Sequence, residues 1–582
     1  MASGRRIAAN SLPTSPIRAQ GVDDLCCACG ISSSVVAFAE RRGPDSSDGK
    51  MMRRGSSVLT YGWLFVAACW IAVTIRLYHS YVFEVGYGRI WGVSDDVYIA
   101  ADFARTWAEG GGLRWYPGAP KIEGFTSPLW VVLLAAVHLM PGFSPNHLGL
   151  YVLALNSALL ALLAFLIFAA LRKFTPADVD PSAPGNWKIS AVLILIAAGG
   201  LSFCFWLSQG FEICLVAVIA MAVFCETLQA RIHWPRVGLL LGIAFWARMD
   251  AVLYCTAALW CALGIHGLKN TRSMAIGLAV AATTAAALML GRHAYYGEWL
   301  PNTYYLKATG WPLSSRLDVG WAQNATSLVI IAAGAIGFLL LRPMQHGIHG
   351  RLMVAVTGAF ATELAAMAYS TFVGGDAWFQ IFGYDRFGAT ALPFLTFAVS
   401  AVVLFGKWSP RQIPAVLVWA VALLVSPAFV GPGWDSDLPR RALSIDEPVL
   451  PRGLEGLWVR AGFLLGEITA PGTRIALCPA GAVIYFSRRG GVDVLGKIEP
   501  YVAKLPVSTT PPPEARCWWP RAGHNKEDVA GLFALRSPDV SIVEPPLALR
   551  DRYVAFKYRG PTFYALRNSP LITWSKVQLL EQ

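Results

Sequence analysis

The sequence predicts a polytopic α-helical membrane protein of about eleven transmembrane helices, followed by a smaller C-terminal α/β domain on the outer side. Three observations predict it. Of 582 residues, 55% are hydrophobic and 14% charged, whereas a soluble domain carries roughly 25% charged residues. The apolar residues are gathered into long runs separated by short basic loops. From about Gly431 charges and prolines return, and the apolar runs become short and alternating.

Taken in order, residues 1–56 are polar and lack the continuous apolar core of a signal peptide. They are expected to be a disordered cytoplasmic segment; Met51 or Met52 before Arg53 and Arg54 looks like a natural start, making what precedes it a dispensable tail or a start-site artefact. A transmembrane region is expected over 57–430, with its first span near Leu59–Leu77 and an outer loop over 80–128. In that loop Asp95 and Asp96 precede an amphipathic helix, with Val97, Ile99, Ala101, Phe103, Ala104 and Trp107 on its apolar side and Asp102, Arg105 and Glu109 mostly on the other. Gly110, Gly111 and Gly112 stop the helix. Leu129–Met140 is too short to cross roughly 30 Å of hydrocarbon and is expected to lie at the interface. Spans follow near 148–171, 188–207, 211–229, 234–248, 250–266, 273–292, 323–341, 352–372, 388–406 and 412–430.

Charge sets the orientation. With the N-terminus inside, cytoplasmic loops carry Arg172/Lys173/Lys188, Arg231/Arg236, Lys269/Arg272, Arg342/Arg351 and Lys407/Arg411. Asp95/Asp96, Glu212, Arg248/Asp250, the 293–322 loop, Asp376 and Asp385/Arg386 then all fall on the outer face. Ionisable groups drawn from several spans to one membrane surface are what a membrane-embedded site requires, although each alone can simply cap a helix end. The net charge of +12 comes with no dense basic run, so nucleic-acid binding is not expected.

In 431–582 the runs RIALCP, AVIYFS, VDVLG, VSIVEP, YVAFKY and FYALR read as strands of an outer α/β domain. Asn525–Arg536 reads as a helix capped by Asn525, with Glu527 and Asp528 in its first turn. Of the 11 cysteines, Cys26, Cys27 and Cys29 lack a second ligand pair for zinc; Cys478 and Cys517 lie where a disulfide can form.

The stretches DDVYI, FAR, EGGGL, WYPG and EGFTSPLW between Asp95 and Trp130 resemble the first periplasmic loop of the GT-C glycosyltransferases, and within them the mycobacterial terminal arabinofuranosyltransferases and their bacterial relatives. QGFE (Gln209–Glu212), Tyr295–Gly310, Gly374–Phe387 and Gly472–Ser487 continue the resemblance in the same order, over about residues 57–570. It implies a bacterial inner-membrane enzyme with an extracytoplasmic site, moving a pentofuranose or hexose from a polyprenyl-phosphate donor in the bilayer to a glycan or glycolipid with inversion. It places the catalytic role on the acidic pair, with Asp95 favoured as base and Asp96 orienting it, binding acceptor or holding a divalent cation (Mg²⁺, Mn²⁺ or Ca²⁺). Arg386 resembles the phosphate-side arginine, its alternative being an ion pair with Asp385 or Asp376; Lys307 and Arg248 are further phosphate candidates. Substrate-side candidates are Glu212, Asp376 and the aromatics Tyr98, Trp115 and Tyr304, with Tyr116, Trp130 and Trp378 also able to stack on sugars or anchor at the interface. QGFE in place of GLE, Arg248-Met249-Asp250 in place of an RPE-like triplet, and a looser Gly374–Phe387 stretch leave sugar and acceptor open. Two other classes stay open as well: a secondary transporter or flippase, expected to show midplane charges and repeats, and a non-catalytic scaffold, expected to be indifferent to Asp95→Asn.

Overall fold

In the computed structural model, the residues described are 57–174, 187–268, 270–340, 350–377, 385–429 and 455–580. The expectations for residues 1–56, the Cys26–Cys29 cluster, Lys269, Arg342, Trp378 and the boundary at 430/431 lie outside them. The helical body is built from α1 (Ser57–Tyr78), α2 (Asp95–Ala108), α3 (Pro128–His138), α4 (Leu148–Arg172), α5 (Trp187–Gly199), α6 (Leu201–Ser208), α7 (Ile213–Thr227) and α8 (Trp234–Ala247). It continues through α9 (Ala251–Tyr254), α10 (Thr256–Cys261), α11 (Thr271–Tyr296), α12 (Asn302–Ala308), α13 (Leu313–Leu340), α14 (Arg351–Val373), α15 (Arg386–Phe405) and α16 (Ile413–Phe429).

The chain is a polytopic helical protein. Among the described residues, seven helices are long and apolar enough to cross a membrane. The expected spans at 211–229, 234–248, 250–266 and 412–430 are present among the described residues as shorter apolar helices. The α3 helix has 11 residues, about 16 Å at the rise of an α-helix, too short to cross. The α5–α6 span breaks at Gly200, where a Cβ atom would lie 2.0 Å from the Trp70 indole nitrogen. That indole donates to the Ala197 carbonyl at 3.0 Å, so the break lets α1 approach closely. The central element is α15, which is buried along nearly its whole length and packs against α5, α7, α14 and α16.

Between α1 and α2 the loop forms a hairpin of β1 (Val82–Glu84) and β2 (Arg89–Trp91). Its end is tied down by the Tyr78 hydroxyl, which donates to the Gly92 carbonyl at 3.0 Å. The C-terminal part comprises α17 (Glu455–Ile468), β3 (Arg474–Leu477), α18 (Ala482–Ser487), β4 (Gly490–Asp493), α19 (Pro500–Ala503), α20 (Val529–Arg536), β5 (Val540–Ser541), β6 (Tyr553–Lys557), β7 (Thr562–Leu566) and β8 (Gln578–Leu579). The six strands form one mixed sheet in the order β4-β3-β5-β7-β6-β8, parallel at β3/β4 and β3/β5 and antiparallel elsewhere.

Three local expectations change. AVIYFS is the helix α18, not a strand; all six residues are buried, and a short apolar run does not reveal its period. The helix expected from Asn525 begins at Val529, because Asp528 is the cap, accepting from the Gly531 N–H at 2.8 Å. The polar side expected for α2 is largely covered. Asp102 and Arg105 form a buried ion pair of 2.8 Å, and Arg105 donates to the Tyr485 carbonyl of α18 at 2.5 Å. Cys478 and Cys517 are joined as a disulfide, with Cα atoms 6.1 Å apart.

Candidate active site

Asp95 and Asp96 open α2, where acidic groups suit the positive end of the helix dipole. The preceding Ser94 N–H donates to the Gln209 carbonyl at 2.9 Å, which fixes the start of α2 against the QGFE turn. Successive helical residues diverge by about 100°, so the two carboxylates part company. Asp95 turns into protein and is 3% exposed. Its Oδ1 accepts from the Ala482 N–H at 2.8 Å and the Gly481 N–H at 3.2 Å. Gly481 is required here, since a Cβ would lie 2.0 Å from the Asp95 carbonyl oxygen. Burial pushes the Asp95 carboxyl up to about 7; Lys497 and the Ala482 and Gly481 N–H groups oppose the rise, and Asp96 adds to it.

Asp96 instead faces a cavity of about 400 Å³ and forms an ion pair with Lys497. Lys497 sits on the turn after β4, shaped by Asp493, which accepts from the Ile498 N–H at 2.8 Å and the Leu495 N–H at 3.0 Å. Asn302 at the start of α12 holds the turn by donating to the carbonyls of Gly496 (2.9 Å) and Lys497 (3.1 Å). Burial works against the Lys497 charge, but Asp96 and Asp95 outweigh it and raise its pKa.

The cavity gathers groups from distant segments: Asp96, Glu212, Arg248, Asp250, Tyr304, Lys307, Arg316, Asp376, Arg386, Lys497 and His524 all line it. Arg248 is committed to two carboxylates. It donates to Glu212 at 2.7 Å and to both oxygens of Asp250 at 2.8 and 2.7 Å. Arg386 is held more loosely. Its backbone N–H donates to Asp376 Oδ2 at 3.1 Å, and its Nε lies 3.8 Å from that oxygen without a hydrogen-bond partner among the described residues. The guanidinium lies over the rings of Phe211 (5.0 Å) and Trp206 (5.7 Å). Asp385 does not pair with Arg386. It caps α15, accepting from the N–H groups of Phe387 (2.7 Å) and Gly388 (3.0 Å), from Gln323 (3.0 Å) and from the Ser370 hydroxyl.

The Lys307 ammonium, on α12, lines the cavity and makes no hydrogen bond or ion pair to any of the described residues. Burial lowers its pKa to about 8, with Arg386 and Lys497 adding to the fall and Asp376 and Asp96 opposing it. The structure thus brings together Asp96, Glu212, Arg248, Tyr304, Lys307, Asp376 and Arg386 from the sequence candidates. It leaves Asp95, Tyr98 and Trp115 outside the cavity. Tyr98 is fully buried against Tyr485 and Phe486, and Trp115 is buried, its indole N–H donating to the Ala480 carbonyl at 3.2 Å. Lys497, Arg316 and His524 were not legible as site residues. Lys497 and His524 reach the cavity through tertiary packing of the C-terminal part, which no local pattern announces.

The donor set does not fit a metal at Asp96. That carboxylate is taken by Lys497, and among the described residues no group of three or more His, Cys, Asp or Glu side chains is placed to hold an ion.

The chain is similar to a crystal structure of ArnT from Cupriavidus metallidurans bound to undecaprenyl phosphate, with a TM-score of 0.42 and 13% identity over 76% of each chain. It is similar also to ArnT from the same organism in the apo state, with a TM-score of 0.41 and 14% identity over 76% of each chain. No family model matches the chain. No curated protein matches it either.

Proposed function

We propose that this chain is an inverting glycosyltransferase of the GT-C type that takes a sugar from a polyprenyl-phosphate donor at the outer face of the bacterial inner membrane and passes it to a glycan or glycolipid. The observation that carries the reading is the single cavity in which Asp96 meets Lys307 and Arg386, each delivered by a different segment of the helical body. Asp96 takes the proton of the acceptor hydroxyl as its oxygen bonds to the anomeric carbon. The bond from that carbon to the phosphate oxygen breaks, and the electron pair leaves with the polyprenyl phosphate. Arg386, with a planar fork open to the cavity, and Lys307, as a point charge, stabilise that phosphate. Lys497 orients Asp96 and compensates its charge. The apolar lining, including Phe125, Trp130, Leu306 and Phe372, suits the first isoprene units.

The test is sugar transfer by the purified chain from synthetic polyprenyl-phosphate arabinofuranose, then from hexose donors. Asp96→Asn is expected to lower turnover by about 10²- to 10⁴-fold, the range of a positioned general base, with donor binding retained. Arg386→Met is expected to weaken binding of polyprenyl phosphate itself. Full turnover in Asp96→Asn removes Asp96 from the mechanism, and no transfer from any donor by wild type removes the enzyme reading.

A further inference from the structure

The wall of the cavity opposite the helical body is a loop of the C-terminal part, in which Ala522, Gly523 and His524 face the same space as Asp96 and Lys307. The loop is held from three sides. Cys517 is bonded to Cys478 at the end of β3. The Glu527 carboxylate accepts from the N–H groups of Arg516 (2.7 Å) and Cys517 (3.2 Å). Lys526, fully buried, directs its ammonium to three neutral oxygens: the carbonyls of Ala503 (2.7 Å) and Tyr305 (2.9 Å) and the Thr309 hydroxyl (3.3 Å). Two of those oxygens belong to the α12 segment that carries Lys307, so the loop and the phosphate-side lysine are registered to each other.

Within this loop four buried polar atoms have no hydrogen-bond partner among the described residues, Trp518 Nε1, Arg521 Nε, His524 Nδ1 and Asn525 Oδ1, and of these four residues His524 is the one that lines the cavity. A buried polar atom left unpaired on a side chain at the cavity wall calls for a partner. Burial, together with Lys497 and Lys307, holds the ring well below the ordinary histidine range, at about 4, against the opposing pull of Asp96 and the Ala522 carbonyl. The ring is therefore a neutral imidazole with one donor and one acceptor nitrogen. Phosphate only accepts hydrogen bonds and has the cations beside it to choose from; a sugar hydroxyl both donates and accepts. Resting on the glycosyltransferase reading, we propose that His524 binds a sugar hydroxyl within the cavity and discriminates among sugars, its ring held in place by the Cys478–Cys517 and Lys526 anchors.

Binding of three probes to the full-length chain tests this assignment: polyprenyl-phosphate arabinofuranose, polyprenyl phosphate alone, and an octyl oligoarabinofuranoside. His524→Ala is expected to weaken one sugar-bearing probe by about 3- to 10-fold, the worth of one neutral hydrogen bond, and to leave polyprenyl phosphate unchanged. His524→Gln, which keeps a donor and an acceptor, is expected to recover most of the loss. A loss on the first probe alone assigns the hydroxyl to the donor; a loss on the third alone assigns it to the acceptor. Wild-type affinity of His524→Ala for all three probes overturns the assignment, as does an equal loss on polyprenyl phosphate. If wild type transfers sugar while His524→Ala is unaffected, only the His524 role falls; if wild type binds no probe, the glycosyltransferase reading falls and takes it along.

Discussion

Replacing Asp95 by Ala removes the acceptor that serves two backbone N–H groups at the start of α18. Each buried N–H left unpaired costs roughly 1–3 kcal/mol, so Asp95→Ala is expected to destabilise the fold by about 2–6 kcal/mol. Asp95→Asn keeps the Oδ1 acceptor and is expected to stay within about 1 kcal/mol of wild type at pH 5. The carboxyl also makes stability depend on pH. Its pKa rises from 3.8 to about 7 on folding, so the folded chain keeps a proton that the unfolded chain has released across that interval. The stabilisation tied to that proton is fully present below about pH 4 and is lost as pH rises through 7, on the order of 4 kcal/mol. Asp95→Asn should flatten that slope. Thermal unfolding in detergent from pH 4.5 to 7.5, with turnover at pH 7, measures both effects. A hundredfold loss of turnover in Asp95→Asn with wild-type stability would refute the reasoning, because it would make Asp95 the chemical group rather than the strut.

Two further changes probe how the site is held. Arg248→Met leaves Glu212 and Asp250 buried without their cation, expected to cost about 3–5 kcal/mol in unfolding assays; adding Glu212→Gln should return part of that loss, whereas additive effects would show the pair uncoupled. Breaking the Cys478–Cys517 disulfide with the double serine variant opens a loop of 39 residues, expected to lower stability by about 4 kcal/mol from chain entropy; an unchanged melting profile with and without reductant would show that the bridge does not restrain the unfolded chain.

Much of the helical body was legible because hydrophobic runs of spanning length have few alternatives in composition. The sites of Asp96, Glu212, Asp376 and Arg386 were legible as one face because basic loops alternate with the others along the chain, and the fold brings these groups to one cavity. What escaped was whatever depends on a partner far away in sequence. Asp95 and Asp96 are chemically alike, and only the Gly481–Ala482 turn of the C-terminal part decides which one is drawn inward. AVIYFS lacks a cap of its own beyond Gly481; Asp95 supplies one from outside, and the run becomes helical. Asp102 and Arg105 were assigned to a polar side because the sequence does not announce that α18 will cover them. The cap at Asp528 in place of Asn525 is a smaller matter, since Asn, Glu and Asp within four residues all carry acceptors and only geometry selects among them.

Asp96 and its countercharge Lys497 are separated by 401 residues. A nascent chain that has delivered every helix of the body still lacks the lysine that steadies the carboxylate and the loop that walls the cavity. The site can therefore form only near the end of synthesis, after α18 and the turn that carries Lys497 have packed against α2. Chains interrupted before that point would carry the helices of the body without the assembled cavity.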